Sequence, residues 1–319
     1  MDCSIVISTR NRADKLYATL RAFEKVVVPE SWRVEMIIAD NGSTDATPDI
    51  ISHARVPSMH IRAIREPRPG KSRALNTALS TAEGTALLFT DDDVVPAANW
   101  LERMTTPLLE DRCDAVAGRV RLAPDLRRPW LASSHAMWLA ERPDPAEHSP
   151  ELVGASMGMR REVFERIPGF DVDLGPGITG LGEDTLLWMQ MIELGMRIQP
   201  VRDTEVVHHP DASRLAHASW VSASRQMGMT YAYLWHHWKH LQVSKLLASE
   251  YWYRMKLTLR ILLERGGHRP HEGCPEWELF YRTRIHTCRA CRELSGTPRK
   301  YPPPAERALA SRPARLRHE

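Results

Sequence analysis

The chain has 319 residues, 43% of them hydrophobic and 26% charged, with a net charge of +3. That is the composition of a globular protein, and the length suits two domains or one large α/β domain. No run approaches the roughly 18 apolar residues that a membrane-spanning helix requires. Met1-Asp2-Cys3 leads straight into Ser-Ile-Val-Ile, with neither a basic nor an apolar leader region. Five cysteines make no complete disulfide framework, and a reducing cytosol is the expected compartment.

Charge is uneven along the chain. Residues 1–225 hold 26 Lys/Arg against 32 Asp/Glu, whereas residues 226–319 hold 17 against 8, with 11 of the chain's aromatics. This break predicts a catalytic-type domain over 1–225 and a basic, aromatic, mostly helical region over 226–319.

In chain order, Cys3–Ser8 reads as a strand, and Arg12–Lys25 as a helix carrying Leu16, Leu20 and Phe23 on one face. Val34–Ala39 is a second strand and Asp45–His53 a helix capped by Ser43 or Thr44. Met59–Ile64 is a third strand, Ser72–Ser80 a helix and Thr85–Thr90 a fourth strand. Strands alternating with helices imply a mostly parallel sheet flanked by helices, Rossmann-like in class. Ligands of such sheets bind beyond the carboxyl ends of the strands. There the sequence places Ser8-Thr9-Arg10-Asn11-Arg12, Asp40-Asn41-Gly42-Ser43-Thr44-Asp45, Pro69-Gly70-Lys71-Ser72-Arg73 and Asp91-Asp92-Asp93. Neither G-x-G-x-x-G nor G-x-x-x-x-G-K-[ST] occurs, which removes support from a dinucleotide fold and a P-loop.

Three adjacent carboxylates repel one another. Carboxylate oxygens suit Mg²⁺ or Mn²⁺, and a divalent cation offsets the repulsion between Asp91 and Asp93 and can bridge to a diphosphate. Lys71 and Arg73 then neutralise the remaining phosphate charge. Taken singly, Asp40 and Asp91 are equally well explained as turn or cap residues.

The blocks STRNR, IIADNGSTDAT, PGKSRALNTAL, LLFTDDDVVPAANWL, GASMGMRREVFERIPGF, GEDTLLWMQMIELG and EVVHHPDASR resemble, in order, the family 2 glycosyltransferases of the GT-A fold. The resemblance covers about residues 3–215. It implies that Thr9, Arg10, Asn11, Asp40, Lys71, Arg73, Asp91 and Asp92 line a nucleotide site, with Asp40 accepting from the base. It also implies that Asp91 and Asp93 face the metal, with His208 completing the metal's ligands. His209 competes with His208 for that place. Gly182-Glu183-Asp184 precedes a helix ending at Gly195, and spacing alone explains such carboxylates as helix caps. The resemblance makes Asp184 the general base of an inverting transfer from a nucleotide-diphosphate sugar, with UDP-sugar the expected donor, and puts Glu183 beside the acceptor hydroxyls.

Trp130, His135 and Trp138 suit either a core or sugar stacking. Residues 226–264 read as helical, with Met255, Leu259 and Leu262 on one face. That face suits packing against protein, or peripheral contact with the inner face of a membrane. His271, Cys274, Cys288 and Cys291 have the spacing of a structural zinc site. No nucleic-acid module is recognised. Residues 300–319, rich in Pro, Arg and Ala, read as a poorly ordered end. The acceptor is expected to be a carbohydrate or a lipid-linked sugar. Competing readings are a sugar nucleotidyltransferase, whose glycine-rich N-terminal signature STRNR lacks, and a non-catalytic carbohydrate-binding protein.

Overall fold

The computed structural model describes residues 1–148, 150–265 and 270–310; the last stretch of the expected disordered end, 311–319, lies outside them. The chain divides into two compact units. The first comprises Met1–Arg127, His135–Ile178 and Glu183–Pro210, and the second Arg128–Ser134, Thr179–Gly182 and Asp211–Glu319.

The first unit opens with β1 (Cys3–Thr9), α1 (Ala13–Phe23), β2 (Val34–Asp40), α2 (Thr47–Ser52), β3 (His60–Arg65), α3 (Lys71–Thr81) and β4 (Ala86–Thr90). After it come β5 (Val94–Pro96), α4 (Trp100–Leu109), β6 (Ala115–Leu122), α5 (Ser133–Trp138), β7 (Met157–Arg160), α6 (Val163–Arg166), α7 (Glu183–Glu193) and β8 (Ile198–His208). The eight strands form one sheet in the order β3-β2-β1-β4-β7-β6-β8-β5. The first four strands are parallel, as alternating strands and helices require. β7 enters antiparallel to both β4 and β6, and β5 antiparallel to β8.

Alternation along the strands sorts the core. Ile5, Ile7, Met36 and Ile38 point to one face, where they meet Leu16, Leu20 and Phe23 of α1 and Trp100 of α4. Val6, Ile37, Leu87 and Phe89 point to the other, against Ala74, Leu75 and Ala78 of α3 and Leu187 and Met191 of α7. Phe23 and Trp100 meet edge to face, 5.9 Å between centroids. Each such buried side chain stabilises the fold by about 1.5–3 kcal/mol relative to exposure. Register aligns the strand ends: Thr9 pairs with Asp40, and Asp40 with Arg65. The loops that follow therefore leave the sheet at one level.

The second unit is helical: α8 (His217–Tyr233), running into a π-helical turn at Leu234–Trp238, then α9 (Leu246–Arg265), α10 (Glu276–Leu294) and α11 (Pro304–Ala310). The helical stretch expected over 226–264 is two helices, parted between Trp238 and Leu246, where His240 and Lys245 adopt φ of 54° and 56°. α8 and α10 cross closely at Gly228: a Cβ there would lie 2.9 Å from the Thr283 carbonyl oxygen. Glu250 is the one fully buried carboxylate of α9, and Arg254 and Arg292 neutralise it.

Candidate active site

The β1 loop begins with Thr9, whose hydroxyl donates to Asp92 Oδ2 at 2.6 Å. Asn11 takes φ 51°, turning the chain so that its side chain accepts from Thr44 N and its backbone N–H donates to Ser43 Oγ. Ser43 is thus tied to the β1 loop, and it is Asp45 whose carboxylate accepts from Thr47 N at the start of α2; the expected cap at Ser43 or Thr44 is replaced. Arg10 is exposed. Arg12, which sequence reasoning passed over although it stands in STRNR, reaches the aspartates instead: Nη2 lies 2.6 Å from Asp93 Oδ2 and Nε 3.4 Å from Asp92 Oδ1.

The β2 end is a tight turn. Asp40 Oδ1 accepts from Ser43 N, and Asn41 ties this loop to the next by donating to the Glu66 and Arg68 carbonyls and accepting from Gly70 N. Gly70, at φ 125°, lets α3 start with Lys71. The Lys71 ammonium lies 2.6 Å from Asp91 Oδ1 and 3.6 Å from Glu183 Oε1. Burial alone would lower its pKa, but the surrounding Asp91, Glu183 and Asp184 carboxylates raise it, so it stays a cation. Arg73, two residues on, is half-buried.

Asp91, Asp93 and His208 offer ligand atoms that all lie within 4.8 Å of one another. β8 ends at His208, paired with Val94 of β5, which brings the histidine to the aspartate run. His208 Nδ1 lies 2.8 Å from the Leu139 carbonyl oxygen and must carry the hydrogen there. His208 Nε2 faces Asp93 Oδ1, 3.2 Å away. That oxygen is buried and, among the described residues, has no hydrogen-bond partner apart from the facing imidazole. One ring nitrogen and two carboxylates gathered at one point fit a divalent cation when the imidazole is neutral, and His with Asp is a donor set such ions accept. The neighbouring His209 differs: its backbone N–H donates to the Asp93 carbonyl, and its own carbonyl accepts from Lys15. Burial pushes Asp92 up to about 6, with Asp93 adding to the rise and Arg12 opposing it. Asp93 moves the other way: burial would raise it, but His208 and Arg12 hold it well below the usual carboxylate range.

α7 delivers the last pair. Asp184 Oδ2 accepts from Gly154 N at 3.1 Å, and Oδ1 from Thr185 N at 2.7 Å. Glu183 is buried, and burial raises its carboxyl to about 7, Asp184 also raising and Lys71 lowering it. Gly154, a second residue missed by sequence reasoning despite its place in GASMG, is where a side chain would intrude: a Cβ there would stand 3.2 Å from Lys71 Nζ and 3.9 Å from Asp184 Oδ2.

Other expectations fall elsewhere. Trp130 lies edge to face with Trp220, 6.2 Å between centroids, within the helical unit, and His135 is buried. The four zinc candidates do not converge. Cys274 precedes α10 while Cys288 and Cys291 sit near its far end, and the helix sets about 18 Å of rise between its start and Cys288. His271 is exposed. Cys274 clusters instead with His217 and Glu278, where Arg282 already balances the carboxylate at 2.8 Å.

Solved structures share this fold. A mannosyltransferase from Pyrobaculum calidifontis, described in complex with GDP-Man and Mn²⁺, superposes at a TM-score of 0.53 with 19% identity, covering 97% of this chain and 78% of that one. S. aureus TarS 1–349 in complex with UDP gives 0.52 with 17% identity, covering 84% and 74%. Among curated sequences, the glycosyltransferase AglE of Haloferax volcanii is 30% identical over 118 residues, which is 37% of this chain and 38% of that protein. The succinoglycan biosynthesis protein ExoM of Rhizobium meliloti is 32% identical over 112 residues, 34% and 36%. The chain thus spans little more than a third of the length of either of these relatives. The family described as glycosyl transferase family 2 matches residues 4–168. That stretch is over half of the chain and carries every strand-end loop described above, and the chain belongs to this family.

Proposed function

We propose that the chain is an inverting glycosyltransferase that moves a sugar from a nucleotide-diphosphate donor to an acceptor hydroxyl. The observation that carries this reading is the convergence of Asp91, Asp93 and His208 with Lys71 and Asp184 at the carboxyl edge of the sheet. GDP-Man and UDP in the complexes of structurally similar proteins support a nucleotide-sugar donor, with a UDP-sugar the first candidate. Thr9, Asn11 and Asp40 would border the base and ribose, and Lys71 and Arg73 the diphosphate.

Asp91, Asp93 and His208 would hold Mg²⁺ or Mn²⁺, which when bound supplies positive charge to the diphosphate leaving group. The remaining chemistry belongs to the chain. Asp184 takes the proton from the acceptor hydroxyl as its oxygen bonds to the anomeric carbon, while the bond from that carbon to the diphosphate oxygen breaks. The Gly154 N–H fixes the carboxylate that receives the proton. Lys71, held charged between Asp91 and Glu183, balances the leaving phosphate. Glu183, at the helix start beside the base, orients acceptor hydroxyls. The test is transfer from radiolabelled nucleotide sugars to water and to candidate saccharide or lipid-linked acceptors, in parallel with Asp184→Asn. Nucleotide release by wild type and none by the variant is expected; equal release would refute the assignment of the base.

A further inference from the structure

Among the described residues sixteen large hydrophobic side chains are exposed, and ten of them lie between Leu241 and Phe280. Most belong to α9. At 100° per residue, Leu247, Tyr251, Met255, Leu259, Leu262 and Leu263 fall within about 160° of arc, and each is at least 51% exposed. Trp252 lies in the same arc, 47% exposed. The opposite side of the helix is the one that turns inward, with Glu250 buried and Tyr253 against Tyr281 of α10. A helix that covered its apolar stripe against its own fold would show the reverse. An uncovered face of this extent marks an interaction surface.

Charge selects the occupant. Lys256 borders one edge of the apolar arc, with its ammonium 5.4 Å from the Trp252 ring centroid. Arg254 borders the other, and Lys245 precedes the helix. The two acidic residues of this stretch are spent on neighbours: Glu250 on Arg254 and Arg292, Glu264 on Arg260. An apolar face with an indole at its margin and basic side chains along both edges matches the acyl–headgroup boundary of an anionic bilayer, into which such helices lie flat. A second copy laid on this face would bring basic edges against basic edges. No helix among the described residues is long and apolar enough to cross a membrane, so the contact is with the surface. We infer that the exposed face of α9 docks the chain on an anionic lipid surface.

The experiment is co-sedimentation of the full chain with phosphatidylcholine vesicles, with and without phosphatidylglycerol, read alongside sedimentation velocity without lipid. The wild type is expected to pellet with the anionic vesicles and to be released by high salt. Leu259→Glu/Leu263→Glu, whose sites are solvent-exposed and so leave the fold intact by circular dichroism, is expected to lose binding roughly tenfold or more, as withdrawing two leucines from the bilayer implies. The lipid-induced blue shift of tryptophan emission should shrink in Trp252→Phe. Failure of the wild type to bind anionic vesicles, or binding that ignores the double substitution, overturns the inference. So does a lipid-free dimer dissociated by the same substitution in a wild type that ignores vesicles, which makes the face a contact between copies. None of these readouts uses catalysis, so this inference and the transferase reading fail separately.

Discussion

Asp93 Oδ1 and His208 Nε2 face each other across 3.2 Å of protein interior, both buried. A cation in that gap satisfies both atoms. His208→Ala is therefore expected to weaken Mn²⁺ binding on the order of tenfold or more, since even residues that only orient metal ligands cost that much. Mn²⁺ electron paramagnetic resonance checks this directly. Unchanged affinity would remove His208 from the site.

Arg12 predicts an effect of the opposite sign. Its guanidinium balances Asp92 and Asp93, so it competes with any cation for the same carboxylates. In the absence of nucleotide, Arg12→Ala should bind Mn²⁺ more tightly than wild type. Weaker binding would mean that Arg12 holds the aspartates in place rather than opposing the metal.

Asp184→Asn keeps an oxygen to accept from Gly154 N but no longer takes up a proton. Turnover should fall by about 10²–10⁴-fold, the usual contribution of a general base, while the dissociation constant for nucleotide diphosphate stays put. An equal loss of binding would point to a structural role at the start of α7.

Much of this was legible in the chain itself. The first four strands and three helices stand close to their expected limits, because β-branched runs and apolar spacing act locally. The row of strand-end loops followed from parallel topology alone. Contacts that depend on long-range pairing were not legible. His208 reaches Asp93 because β8 lies beside β5, and in the sequence only the spacing from His208 to Arg214, which resembles the family's, favoured it over His209. Arg12 differs from Arg10 only in where the turn at Asn11 points it. Gly154 is read as important only once Lys71 and Asp184 stand around it. The zinc spacing misled because α10 is one continuous helix, which keeps Cys274 apart from Cys288 and Cys291.

Glu183 gives a pH-dependent prediction. Its carboxyl rises from 4.5 to about 7 on folding, through burial first and Asp184 second, against the pull of Lys71. The folded state therefore holds this proton more tightly than the unfolded chain. The contribution to stability is complete below pH 4.5 and lost as pH rises through about 7. Glu183→Gln lacks this loss, so its denaturant midpoint should gain on wild type across that window. A difference between the two proteins that does not change with pH would contradict the burial account.

The strand-end carboxylates are proposed to hold a metal–nucleotide diphosphate. Calorimetric titration with UDP, GDP and TDP, each with and without Mn²⁺, tests it most directly. One nucleotide is expected to bind, with binding lost without the metal or in Asp93→Ala. Absence of binding by all three, or binding indifferent to both metal and Asp93, would contradict it.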